Sequence, residues 1–249
     1  MDNNDIRKIA ADFWLTAGAS ECFPRNIEAS ILWALPLAVM KLPRLRVASV
    51  RAWLSEYGLP AIVPAGEREL RACVVASRGR GVIFIDGSDP SDEQRMSLAH
   101  ELAHFLLDYV FPRDRAIQTF GASILSVLDG DRAPSPAERL SAVLRGVTLG
   151  VYSRLWLRGP LGLARDTRAV AQEDLADMLA LELLAPRREV GTRARRFIDR
   201  SKVDTQVDTI EILLQTDFGL PASSANAYAR VLWASARPVP SMRGWLGMK

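Results

Sequence analysis

The stretch Ser97-Leu98-Ala99-His100-Glu101-Leu102-Ala103-His104-Phe105-Leu106-Leu107-Asp108 constrains this chain more than any other. It contains the pattern H-E-x-x-H, and its two histidines are the only ones in 249 residues. On a helix, residues four apart lie on one face about a turn from each other, so His100 and His104 can ligate a single metal ion. Glu101 is rotated by about 100° from His100, within reach of a water at such an ion without being a ligand itself. Two histidines placed at random would take this spacing, with a glutamate after the first, only about once in a thousand chains or more. With His100 at 0°, His104 falls at about 40°, Ser97 at about 60°, Asp108 at about 80° and Glu101 at about 100°. Every other residue from Leu98 to Leu107 is Ala, Leu or Phe. An ordinary surface helix has a far wider polar face. One narrow polar stripe on an otherwise apolar helix indicates a buried helix that lines a site.

The rest of the composition sets bounds. A hydrophobic content of 49% is ample for one large domain or two small ones. A net charge of +3 is too mild to imply nucleic acid by itself. Cys22 and Cys73 are too few and too far apart for a disulfide framework or a cysteine-based zinc site. The polar, acidic start Met1-Asp2-Asn3-Asn4-Asp5 does not read as a signal peptide. The longest apolar run, Ala29 to Met40, is short and interrupted by Pro36, so it does not read as a membrane span. A soluble, cytoplasmic protein is expected, with no membrane partner.

Taken in order, residues 5 to about 57 read as three short helices, centred on Ile6 to Trp14, Ile27 to Leu35 and Val47 to Leu54, the last stopping near Gly58-Leu59-Pro60. They lack a basic, polar recognition helix, so packing is expected of them rather than DNA reading. From Leu70 the period changes. Leu70 to Ala76 and Gly81 to Ile85, separated by Ser77-Arg78-Gly79-Arg80, read as a β-hairpin leading into the motif helix. Ser91 with Gln94 offers that helix a capping box, and Asp89 an alternative cap. The strand Val82, Ile83, Phe84 and Ile85 could pair with an extended peptide by edge addition, or lie inside the sheet with no free edge. Ala116 to Leu128 and Ser135 to Leu157 read as helices, the second opened by a Ser135–Glu138 capping box, before a loop at Gly159-Pro160 and Gly162. Tyr109, Tyr152 and Trp156 could reach the site, although aromatics at helical spacing more often serve the core.

Catalytic zinc usually takes three protein ligands and leaves one position for water. No histidine remains, so the third ligand is expected to be a carboxylate. Ala171 to Pro186 reads as an amphipathic helix on which Glu173 and Asp177, four apart, share a face. One of them can ligate while the other hydrogen-bonds a ligating histidine. Glu182 competes, although it sits about 180° from Glu173. Asp108 also competes but lies two turns, about 12 Å, from His100, which suits it better to supporting a histidine. Beyond Pro186 a basic run from Arg187 to Lys202 reads as a solvated face or a dock for an acidic partner or nucleic acid. Thr209 to Trp233 reads as helix, turn, helix, and Pro238 to Lys249 as a loose tail.

Together, Arg95 to Leu107, the strand Val82 to Ile85 upstream of it, and the helix from Glu173 to Leu183-Leu184-Ala185-Pro186 resemble the ImmA/IrrE family of metallopeptidases. The resemblance covers roughly residues 68 to 190. Glu-x-x-x-Asp downstream of H-E-x-x-H is also the pattern of the gluzincin metallopeptidases. The resemblance implies a zinc-dependent intracellular protease that cuts a helix-turn-helix repressor. It implies one Zn²⁺ held by His100, His104 and Glu173, with Glu101 as general base and Asp177 and Asp108 as supports. Direct nucleic-acid binding is not expected. Two features depart from the family: 68 residues separate His104 from Glu173, implying a helical insertion at about 110–170, and Asp177 stands where many members carry Asn. The expected fold is α+β, mostly helical, with a small β-sheet packed beside the motif helix. The expected organisation is a helical segment over 1–60, a metallopeptidase core over 61–190 and a helical segment over 191–249. Two rival readings are a regulatory binding protein with a structural zinc site and a toxin-like protease of a toxin–antitoxin pair.

Overall fold

A computed structural model of the chain describes residues 2–19, 22–59, 63, 66–141, 143, 146–158, 167–196 and 204–236. The fold is α+β and mostly helical, with a four-stranded sheet beside the motif helix. Contacts divide it into two compact units, Met1–Leu184 and Ala185–Lys249.

The first unit opens with α1 (Asn3–Thr16), capped by Asp2 in a capping box with Asp5, and α2 (Ile27–Ala34), capped by Asn26. The chain then enters β1 (Leu37–Leu42) before α3 (Val47–Glu56). The sequence reading had no strand here. Pro36 ends the helical run, and Leu37-Ala38-Val39-Met40 continues as a strand because β3 offers it a parallel partner. The hairpin forms as expected, from β2 (Leu70–Ser77) and β3 (Arg80–Asp86), with Arg78 and Gly79 at positive φ in the turn. The motif helix α4 (Ser91–His104) follows.

Neither expected cap of α4 is made. The cap position falls on Pro90, and the Gln94 side chain instead donates to the Asp89 and Gly87 carbonyls. Past His104 the helix widens into a π-helical turn, Phe105–Val110, and continues as α5 (Phe111–Phe120). Gly121 (φ +75°) breaks it ahead of a 3₁₀ turn and the short α6 (Leu125–Leu128), so Ala116 to Leu128 is two helices rather than one. The Ser135–Glu138 capping box is present but opens only α7 (Pro136–Leu140). The helix expected over Ser135–Leu157 does not form. Gly146 and Gly150 take positive φ, and β4 (Tyr152–Leu157) pairs with β2. The stretch between His104 and Glu173 is therefore not a helical insertion throughout: it supplies a strand of the central sheet. Helix α8 (Thr167–Leu184) closes the unit.

The strand order is β1-β3-β2-β4, with β1 parallel to β3 and the other pairs antiparallel. Side chains alternate across this sheet. Cys73, Val75, Phe84, Leu155 and Leu157 pack on one face against Val47, Val50 and Leu54 of α3. The opposite face meets α4. Gly81 is required there, since a Cβ would lie 2.8 Å from the Leu37 side chain and 3.0 Å from the Phe105 ring. On its other side α4 packs against α8, and α1 packs on α8, where Trp14 Nε1 donates to the Leu183 carbonyl at 3.1 Å. The amino-terminal helices thus serve packing.

The second unit contains α9 (Arg187–Ala194), α10 (Asp204–Thr216) and α11 (Ala222–Ala236) around Leu214, Phe218, Ala225 and Ala229. The closing helix-turn-helix is as expected. Part of the basic run is internally neutralised: Arg193 pairs with Glu189 at 2.9 Å and Asp217 at 3.0 Å. Arg200 and Lys202, the Gly159–Gly162 loop and the tail from Pro238 lie outside the described residues. Among the described residues no helix is long and apolar enough to cross a membrane.

Candidate metal centre

Residues Met96 to His104 of α4 are all buried, as the narrow polar stripe requires. His100 and His104, one turn apart, direct their Nε2 atoms at each other across 3.1 Å. Each Nδ1 is already committed: that of His100 to Asp177 Oδ1 at 2.8 Å, that of His104 to Asp108 Oδ2 at 2.8 Å. A carboxylate can only accept, so each Nδ1 carries a proton and each Nε2 is the nitrogen left to meet a further proton or a cation. Glu173 Oε2 lies 3.4 Å from His100 Nε2, and its Oε1 lies 3.8 Å from His104 Nε2. The three ligand atoms fall within 4.8 Å of one another.

Two lone pairs and a carboxylate converging on one point repel unless a proton or a cation sits among them. The electrostatics of the site make the same demand. Burial pushes the His100 imidazole down, yet its hydrogen bonds with Asp177 and Glu173 and the nearby Glu101 charge outweigh this and raise it to about 9. His104 is raised against its own burial by Asp108 and Glu173. Burial pushes the Glu173 carboxyl up, but His100, His104 and Arg154 hold it well below the usual carboxylate range. Two nitrogens and one oxygen of this kind fit a divalent metal ion. Of the four carboxylates considered as third ligand, Glu173 is the one that joins the histidines among the described residues. Asp177 and Asp108 are each placed on a histidine instead, and Glu182 is in no such cluster.

The π-helical turn has a role in this geometry. It carries Asp108 back under His104, where the carboxylate also accepts from Tyr152 Oη at 3.2 Å and Gln172 Nε2 at 3.4 Å. Glu101 is fully buried, and neither of its carboxylate oxygens has a hydrogen-bond partner among the described residues. Burial raises its pKa to about 6, with His100 and His104 opposing the rise. A buried carboxylate with no partner costs stability, which a purely structural site gives no reason to bear.

Strand β4 contributes three side chains to the centre. Tyr152 donates to Asp108, Arg154 pairs with Glu173, and the Trp156 ring lies against His100 with centroids 4.2 Å apart. Tyr152 and Trp156 stood as candidates from the sequence, whereas Arg154 was missed. On a helix, residues 152, 154 and 156 point in different directions; on a strand they share a face. The two glycines at 146 and 150 were the available signal that this stretch is not helical. Tyr109 is absent from the centre; its hydroxyl accepts from the Gly79 N–H in the hairpin turn at 2.8 Å.

The expected substrate strand needs correction. Val82, Ile83, Phe84 and Ile85 lie in β3, which is flanked by β1 and β2 and has no free edge, and Ile83 to Ile85 are buried. Its apolar run reflects burial on both faces.

Residues 64–123 match the peptidase family model described as the IrrE N-terminal-like domain. This supports the resemblance to the ImmA/IrrE family and, for activity, a peptidase with a metal-binding cluster. The matched stretch includes H-E-x-x-H but ends before β4 and α8, so the family model does not extend to Arg154, Glu173 and Asp177. No curated protein and no solved structure matches the chain.

Proposed function

We propose that this chain is a single-zinc endopeptidase that hydrolyses a peptide bond in a regulatory protein, a helix-turn-helix repressor being the substrate class. The observation that carries the peptidase reading is the convergence of His100, His104 and Glu173 beside the buried, unpartnered carboxylate of Glu101. The repressor rests on the family resemblance.

His100, His104 and Glu173 would hold the ion, which when bound would supply Lewis acidity toward a water and a carbonyl. Asp177 and Asp108 fix the two imidazoles with Nε2 turned to the ion's position. Glu101 accepts the water's proton and passes it to the leaving amine nitrogen. A carboxyl group raised toward neutrality suits both halves of that exchange. Negative charge developing on the carbonyl oxygen falls to Arg154. The Tyr152 hydroxyl is already donating to Asp108, whereas a guanidinium has five N–H donors and keeps some free beyond Glu173. The substrate lies along β4, which among the described residues is paired with β2 on one side only. An extended peptide added to the open side passes Tyr152, Arg154 and Trp156 in turn.

The test is to incubate the purified chain, loaded with zinc, with a helix-turn-helix protein encoded beside its own gene, with and without chelator. Cleavage at one bond, abolished by chelator, is expected. An intact repressor alongside cleavage of other peptides would remove the substrate class and leave the chemistry.

A further inference from the structure

The ligand-bearing face of the motif helix does not end at the metal centre. His100, His104 and Asp108 follow one another at intervals of four, and Phe111, Pro112 and Arg115 continue the same stripe at three, four and seven residues beyond Asp108. These last residues, with Val147, Thr148, Gln172 and the start of β4, line a half-open cavity of about 610 Å³. Asp108, Tyr152 and Arg154 border both the cavity and the metal centre, so the two spaces adjoin. The volume lies within the range of roughly 300–1,000 Å³ typical of ligand sites.

The charges lining it are unequal in their commitments. Asp108 serves His104, Tyr152 and Gln172, and Arg154 serves Glu173. Arg115 is exposed, and its guanidinium has no hydrogen-bond or ion-pair partner among the described residues. The cavity therefore keeps one uncompensated positive charge at the end of a partly apolar wall.

We propose that this cavity is a substrate subsite that takes an acidic side chain, and that Arg115 determines that preference. The proposal rests on the peptidase reading for its register. Arg115 lies 11 residues beyond His104, at most about 16 Å along the helix axis at 1.5 Å per residue, since the π-helical turn between them rises less. That distance equals about five residues of extended peptide, less the reach of the arginine side chain. The acidic residue then sits about three residues from the cleaved bond, always on the same side.

The test uses the full chain carrying Glu101→Gln, loaded with zinc, against an immobilised library of twelve-residue peptides with blocked ends. Asp or Glu is expected at one position with about tenfold enrichment, as a charge-assisted hydrogen bond provides. Arg115→Ala removes the enrichment, and Arg115→Glu replaces it with Lys or Arg at the same position. Unchanged profiles in both variants, an apolar residue at that position, or no retained peptide would overturn the subsite. A parallel digestion of the library by the wild-type chain separates the two readings. Acidic enrichment without cleavage keeps the subsite and removes the peptidase; cleavage with no acidic preference does the reverse.

Discussion

The burial of Glu101 has a consequence for folding that can be measured before any substrate is known. In the metal-free protein its pKa stands at about 6, against 4.5 for the ordinary carboxyl. That rise corresponds to about 2 kcal/mol of unfavourable free energy for the ionised form. The sign follows from linkage. The folded state binds this proton more tightly than the unfolded chain, so the cost is absent below about pH 4.5. It grows as pH rises through about 6 and is constant above. Glu101→Gln removes the charge and keeps the shape. The amide introduces its own unpartnered polar atoms, but that cost does not vary with pH and cancels in a difference. With chelator present, the stability of Glu101→Gln relative to wild type should thus improve by about 2 kcal/mol between pH 4 and pH 8. In thermal unfolding this is about 4–8 °C for a chain of this size. Urea titrations at the two pH values measure it directly. A difference that is the same at both, or that falls with pH, would refute the claim that this carboxylate is held ionised and without a partner in the core.

Three further outcomes are expected. Glu173→Ala should lower zinc affinity sharply in a chelator-competition titration; unchanged metal content would return the third-ligand role to Asp108, Asp177 or Glu182. Asp108→Asn and Asp177→Asn should each weaken zinc binding within about 10- to 100-fold. Asp108→Asn should be the larger effect, because the Asp108 side chain is 14% exposed and that of Asp177 is 55% exposed; the reverse order would contradict that placement. Zinc binding at pH 7 should release protons, since His100 stands at about 9 without metal and must give up its Nε2 proton to ligate. Calorimetry in buffers of different ionisation enthalpy reads this, and a buffer-independent heat would count against it.

The chemistry of the centre was more legible than the framework around it. H-E-x-x-H reports itself because its spacing is a property of one helix, and Glu173 with Asp177 likewise because both sit on another. The strands β1 and β4 were hidden, since each exists by virtue of a partner distant in sequence: Leu37–Leu42 is a strand because Gly81–Asp86 lies beside it, and Tyr152–Leu157 because Leu70–Ala76 does. Arg154 was lost with β4. The same sheet order decided where an extended peptide can bind. An apolar strand reads alike whether it is central or at an edge, and only the pairing shows that Val82–Ile85 is enclosed while β4, among the described residues, is paired on one side only.

The central claim is hydrolysis that depends on both the metal cluster and Glu101. Its most direct test is mass spectrometry of a defined peptide mixture incubated with the zinc-loaded wild-type chain, with the chelated chain and with zinc-loaded Glu101→Gln. The wild-type chain alone should yield paired fragments whose masses sum to a parent peptide plus one water, while Glu101→Gln retains one zinc per chain and yields none. Equal cleavage by Glu101→Gln, or one bound zinc per wild-type chain with every peptide left intact, would contradict it.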